Sequence, residues 1–266
     1  MTRPYVIAEI GSNWKMSSET SEYDDVDNAL ICIKIAQECG ADAVKFQMFD
    51  HRTLYGVNGN NEFSLNPDWI PDLEQACHEF GIDFMCTAFD CLGIIYLDDY
   101  VKMHKIASSS LSNDDMLDTV MVLQKPFLYS NGMVEADFPD NKNAIPLLCA
   151  SAYPAQPEDY DLTSIGKIIN AGEWGLSDHT KTNTLAKICR AHGATYFEKH
   201  FNPLGNEHSP DATTSVGINE LKSYINAIHS ITPGRPFQVR SHAKALYSDR
   251  YNEEFGRFVR PLIKEN

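Results

Sequence analysis

Six separate short apolar runs in this chain each end in a polar residue suited to handling an anion or a metal. Two of those endings, Gly-Leu-Ser-Asp-His-Thr at 175–180 and Phe-Glu-Lys-His-Phe at 197–201, place a histidine there. In Val44-Lys45-Phe46-Gln47 the side chains alternate with the period of a strand, so Lys45 and Gln47 share one face. A lysine on an inward strand face is costly unless an anion accompanies it. Lys105, in His104-Lys105-Ile106-Ala107-Ser108, repeats the arrangement. Hydroxyl and amide groups recur at other run ends: Thr87, Ser108, Ser130 with Asn131, Ser151 and Ser177. Singly, each reads as an ordinary loop cap. Beside two lysines they make up a cradle for phosphate or carboxylate, because such anions take several donors plus charge.

His179 and His200 close two successive runs, so their imidazoles can approach one divalent ion. Glu198 shares the face of His200 as an orienting partner. Two nitrogen ligands leave the other positions to water or substrate oxygen. That suits an octahedral Mn²⁺ or Mg²⁺ acting as a Lewis acid better than a closed zinc site. His51, His78, His104, His192, His208, His229 and His242 lack such company and read as surface or core residues. The chain has no G-x-S-x-G, no Walker loop and no G-x-G-x-x-G, which removes support for serine hydrolase, nucleotidase and dinucleotide readings.

The elements that must gather these residues alternate along the chain. Strand patterns fall at 5–11, 41–47, 83–89, 101–108, 126–133, 145–153, 173–179 and 194–201. Amphipathic helix patterns fall at 23–39, 67–80, 91–100, 114–124, 162–170, 183–192 and 219–230, several of them stopped by glycine. This predicts an α/β fold, a (β/α)8 TIM barrel, in which the C-terminal ends of all strands converge on one mouth. One unit breaks the rhythm: 134–144 is too short and turn-like for a crossover helix, so helix five is expected to be shortened or replaced by a loop. Residues 1–232 make the barrel domain, and 233–266 a C-terminal tail that packs on the barrel or on a partner. The acidic stretch at 19–27 reads as a solvated loop and helix start.

The formal charge of -15, from 22 Lys plus Arg against 37 Asp plus Glu, argues against nucleic acid and membrane surfaces as partners. Seven cysteines with no C-x-x-C pair read as small apolar residues in a reducing cytoplasm. No signal peptide or membrane-length apolar run is present in the sequence.

Ile7-Ala8-Glu9-Ile10-Gly11-Ser12-Asn13, the stretch from Gly40 to Gln47, Lys105-Ile106-Ala107-Ser108, Ser130-Asn131-Gly132-Met133, Tyr153-Pro154, Gly175-Leu176-Ser177-Asp178-His179-Thr180 and Glu198-Lys199-His200-Phe201 resemble the sialic acid synthase family in order and spacing. That family includes N-acetylneuraminate, legionaminate and pseudaminate synthases, which condense phosphoenolpyruvate with an N-acylated amino sugar. The resemblance implies that Lys45, Thr87, Lys105, Ser108, Ser130 and Ser177 hold phosphoenolpyruvate, that His179 and His200 bind the metal, and that Glu9, Gln47, Tyr153 and Asp211 face the sugar.

The departures from the family pattern fall on the sugar side. Trp14-Lys15-Met16 stand where a His and a nearby Gly are usual, and are expected to alter the loop over the sugar. Ser109-Ser110 replace a usual Gly-Glu, and Ser151 replaces an asparagine, leaving it among the substrate-binding hydroxyls. The antifreeze-like C-terminal domain of the family has no counterpart up to Asn266, so a homo-oligomer or a partner protein supplying the cap is expected. Two other readings stand beside the synthase: a catalytically weak subunit that binds a phosphorylated ligand within a synthase complex, and a metal-dependent aldolase or lyase on the same barrel.

Overall fold

The structure, a computed structural model, describes residues 3–55, 61–132, 139, 141–162, 168, 172–234, 251–252 and 257–258. Strands β1 (Tyr5–Gly11), β2 (Ala43–Met48), β3 (Asp83–Ala88), β4 (His104–Ile106), β5 (Phe127–Ser130), β6 (Ala144–Cys149), β7 (Gly175–Asp178) and β8 (Tyr196–His200) form one sheet. Its order is β3-β2-β1-β8-β7-β6-β5-β4, and neighbouring strands run parallel. The two end strands, β3 and β4, also come into contact, so the sheet curls into a nearly closed barrel. All eight strand patterns are found: β1 has the expected bounds, β2 and β6 each run one residue past the expected range at one end, and the other five are shorter.

The helices cover the outside. They are α1 (Glu22–Cys39), α2 (His51–Tyr55), α3 (Ile70–Phe80), α4 (Cys91–Leu97), α5 (Asp114–Val122), α6 (Thr184–Ala191) and α7 (Ile218–His229). Helix α1 starts where Ser21 and Asp24 cap each other's backbone N–H groups. A 3-10 turn at Pro67–Trp69 leads into α3, splitting the single helix expected at 67–80. The short α2 has no amphipathic repeat long enough to reveal it in advance. The helix pattern at 162–170 and the segment at 134–144 lie largely outside the described residues, as does most of the tail. Within the tail, Tyr251–Asn252 and Arg257–Phe258 pair antiparallel. Among the described residues, no helix is long and apolar enough to cross a membrane. All seven cysteines are free thiols.

Strand alternation divides the core in two. Val6, Ala8, Ile10, Val44, Phe46, Phe84, Phe127, Leu176 and Phe197 point outward and join the helices in the main apolar layer. Inside the barrel, Ile7, Ala43, Met85, Leu128, Ile145 and Leu147 form a separate apolar plug, flanked by Tyr5, Met103 and Tyr196. One step further along the inward face of seven of the eight strands the residues become polar, namely Glu9, Lys45, Thr87, Lys105, Ser130, Ser177 and Glu198, while β6 places Cys149 at that level. The plug is therefore the floor on which the polar layer rests.

Gly175 sets the tightness of that floor. A Cβ there would lie 2.2 Å from the Tyr196 carbonyl oxygen and 2.7 Å from Leu147 Cδ2. Gly175→Ala should therefore cost about 1–3 kcal/mol of stability, the usual range for overpacking. A lower urea midpoint at unchanged slope is the expected result.

Candidate active site

The inward polar residues and the loops beyond them enclose a cavity of about 450 Å³ at the C-terminal end of the barrel. Glu9, Lys45, Gln47, Thr87, Lys105, Ser108, Ser130, Tyr153, Ser177, His179, His200 and Asp211 all line it. Ser151 does not: it stands one step back and donates from Oγ to Ser108 Oγ at 3.2 Å, so it orients a lining hydroxyl. A larger hollow of about 560 Å³ lies beside β2 and β3, among Met48, Phe49, Leu65, Leu92 and Tyr96. Among the described residues it is lined by no lysine, arginine, histidine or cysteine, whereas the barrel mouth gathers both buried lysines and both facing histidines.

Both lysines are buried, and carboxylates meet them. Lys45 Nζ is 2.6 Å from Glu9 Oε2 and 3.6 Å from Glu198 Oε2, and it donates to Thr87 Oγ1 at 2.8 Å. Lys105 Nζ is 3.7 Å from Glu198 Oε1. Burial opposes the Lys45 ammonium, but the charges of Glu198 and Glu9 outweigh it and raise its pKa. Lys105 has less compensation, and burial pulls its pKa below the usual lysine range despite Glu198.

The two carboxylates are driven apart in the same way. Burial would raise Glu198, but Lys105 and Lys45 together outweigh that and hold it below the usual carboxylate range. Burial raises Glu9 against the pull of Lys45. Gln47 Nε2 donates to Glu9 Oε1 at 2.8 Å and fixes the carboxyl plane. Ser177 Oγ donates to Glu198 Oε1 at 3.1 Å, while Ser130 Oγ is buried with no hydrogen-bond partner among the described residues.

At the other side of the cavity the rings of His179 and His200 lie 5.3 Å apart, centroid to centroid. His179 Nδ1 is 2.7 Å from the Ala150 carbonyl oxygen, an acceptor, so Nδ1 carries the proton and Nε2 presents a lone pair. Burial, reinforced by His200, lowers the His179 pKa to about 4, and burial lowers that of His200. His200 Nδ1 is buried without a hydrogen bond and lies 3.8 Å from Asp211 Oδ1. Tyr153 covers the pair, its ring 4.4 Å from that of His179 and edge-on to His200 at 6.2 Å. Two neutral, adjacent imidazoles fit a divalent ion that keeps other positions open. Among the described residues no group of three His, Cys, Asp or Glu side chains is gathered for a metal.

Three features escaped the sequence reading. Glu198, expected only beside His200, lies between the two lysines. Cys149, Leu54, Phe89, Ser109, Pro210 and Thr214 also line the cavity. The period-two pattern of 145–153 was the available signal for Cys149. Trp14 and Lys15 do not reach over the mouth: Trp14 packs edge-on against Trp69 at 5.4 Å, and Lys15 Nζ pairs with Asp25 at 2.6 Å in a buried contact. The loop instead turns at Asn13, whose amide donates to Phe201 O and Ser215 Oγ.

Comparison with known proteins places this geometry among relatives. A family model described as the NeuB family matches residues 32–233. The chain is 28% identical over 259 residues to the N-acetylneuraminate-9-phosphate synthase of Homo sapiens, covering 85% of this chain and 70% of that one. It is 26% identical over 283 residues to the pseudaminic acid synthase of Helicobacter pylori, covering 93% and 80%. The crystal structure of an N-acetylneuraminic acid synthetase from Leptospira borgpetersenii shares the fold, with a TM-score of 0.79 at 23% identity over 95% of this chain and 93% of that one.

Asp211 reaches the mouth because Gly11 lets it. Gly11 has φ +54°, and a Cβ there would lie 2.2 Å from Asp211 Oδ2, the atom that accepts from Ser12 N and Ser12 Oγ. Gly11→Ala should destabilise by about 1–3 kcal/mol through clash and backbone strain. In an Asp211→Ala background part of that cost should disappear, a non-additivity that a double-mutant cycle in urea reads directly.

Proposed function

The chain belongs to the NeuB family, and on that premise we propose that it is a synthase condensing phosphoenolpyruvate with an N-acylated amino sugar or related aldose to give a nonulosonic acid and phosphate. One observation carries the reading. A single cavity holds two buried lysines with a ring of hydroxyls on one side and two facing neutral histidines on the next, the two sides meeting where Ser177 Oγ lies 3.4 Å from His179 Nε2. The first side suits a small, highly charged anion, and the second suits the carbonyl it must meet.

In this reading Lys45 and Lys105 take the phosphate and carboxylate of phosphoenolpyruvate, with Thr87, Ser108, Ser130 and Ser177 donating around them. Ser130 Oγ, buried with no hydrogen-bond partner among the described residues, is placed to donate. Gln47, Glu9, Tyr153 and Asp211 orient the open-chain sugar. C3 of phosphoenolpyruvate forms the new bond to the aldehyde carbon, whose oxygen takes up a proton. Water adds at C2, gives up its proton, and the C2–O bond to phosphate breaks. Glu9, raised by burial, is suited to exchanging a proton beside the reacting atoms. His179 and His200 would hold Mn²⁺ or Mg²⁺, which when bound supplies Lewis-acid polarisation of the carbonyl oxygen. Holding both substrates in register accounts for a large part of the acceleration.

Incubation with phosphoenolpyruvate, Mn²⁺ and a panel of aldoses, followed by phosphate release and product mass, tests the proposal. Release that depends on one N-acylated amino sugar supports it. Phosphoenolpyruvate that binds yet stays intact with every aldose favours the ligand-binding subunit, and formation of pyruvate from a sugar acid favours the lyase. Lys45→Met and Lys105→Met should each weaken phosphoenolpyruvate binding by roughly 1.5–3 kcal/mol in calorimetry. Unchanged affinity in both variants would remove the lysines from the site.

A further inference from the structure

Behind the two histidines, on the outward faces of the same strands, lies a second charged pair that the chemistry above does not use. Asp178 and Lys199 are paired across β7 and β8, and their side chains meet at 3.3 Å with almost no exposure. Their partners are specific. Asp178 Oδ1 accepts from Thr180 N at 2.9 Å and from Thr180 Oγ1 at 2.8 Å, while Lys199 Nζ donates to the Thr180 carbonyl. The ring of Tyr224, on α7, covers the ammonium at 5.1 Å.

His179 sits between Asp178 and Thr180, and His200 directly follows Lys199. The pair thus grips the peptide groups on the far side of His179 and ties them to the strand that presents His200. We propose that Asp178 and Lys199 are positioning residues that set the separation and orientation of His179 and His200, preorganising the two imidazoles for one divalent ion. The inference rests on the reading of those histidines as the metal pair. Geometry supports a positioning role over simple packing: an apolar pair would fill the same layer without anchoring both ends of Thr180. A buried ion pair is also a weak source of net stability, so its value lies in the arrangement it enforces.

The test uses the full chain stripped by chelator and titrated with Mn²⁺ alone, read by electron paramagnetic resonance, with melting temperature measured in parallel. The double variant Asp178→Leu/Lys199→Met removes both charges without leaving either buried alone, so it should fold. Its Mn²⁺ affinity should fall about 10–100-fold, the usual effect of losing an outer partner of a metal ligand. Thr180→Val, which keeps the ion pair but removes the hydroxyl contact, should show a loss near the low end of that range. Thr180→Ser should restore affinity. If the double variant does not fold, the Thr180 pair of variants decides the matter by the same readout. Wild-type affinity in the folded double variant or in Thr180→Val would overturn the positioning role. A wild-type chain that takes up no Mn²⁺ would overturn the metal reading itself, and this inference with it.

Discussion

The burial of two ammonium groups at one end of the barrel is the constraint around which the rest is arranged. Taking an ion out of water costs several kcal/mol even after relaxation, so Lys45 and Lys105 persist only because carboxylates meet them. Glu198 serves both, at 3.6 and 3.7 Å, and Glu9 serves Lys45 at 2.6 Å. Each of these four charges comes from a different strand: β1, β2, β4 and β8. The apolar plug of Ile7, Ala43, Met85, Leu128, Ile145 and Leu147 then has a clear purpose. It seals the barrel below the charges, so that water and ligand reach them from the mouth alone.

A consequence is that the anion side is formed before any ligand arrives. The lysines are held at fixed points by Thr87, Glu9 and Glu198, and the carboxyl of Glu9 is held by Gln47. An entering anion would accept from the hydroxyls around the cavity and share the ammonium groups with the carboxylates, with little rearrangement of the protein. Preorganisation of this kind is where electrostatic catalysis gains most, because the donors need not be ordered during the reaction.

How much of this was legible in the sequence depends on the range of the interaction. Strand alternation is local, so Lys45 and Gln47 could be placed on one face, and the eight strand runs could be counted, from neighbouring residues alone. The strand-end logic of the barrel then brings the two lysines, Thr87, Ser108, Ser130, Ser177 and the two histidines to one cavity. The central position of Glu198 was not legible, because its partners lie on β2 and β4, far away in sequence. Trp14 and Lys15 show the same limit: their direction is decided by Trp69 and Asp25, which the local pattern does not mention. Asp25, in a stretch whose composition suggests a solvated loop, is instead buried between Lys15 Nζ and Thr20 Oγ1, which donate to its two oxygens. Ser151 was misjudged by a single layer, since a hydroxyl one bond further from the cavity has the same sequence signature as one that lines it.

The chain carries a formal charge of -15 and yet concentrates two lysines where a small anion would enter. Screening resolves the apparent conflict. At physiological ionic strength the Debye length is about 8 Å, so carboxylates spread over the outer surface act weakly on a ligand inside the mouth. The lysines, buried and at hydrogen-bonding range, act with little screening. A long polyanion feels the opposite balance, because it meets the acidic surface along its whole length and cannot bring its charges down to the buried ammonium groups. The acidic exterior and the two buried lysines would therefore act together as a filter by size. On the proposed function, such a filter would admit a compact dianion to a cavity of about 450 Å³ and turn away the extended polymers that two exposed lysines would attract.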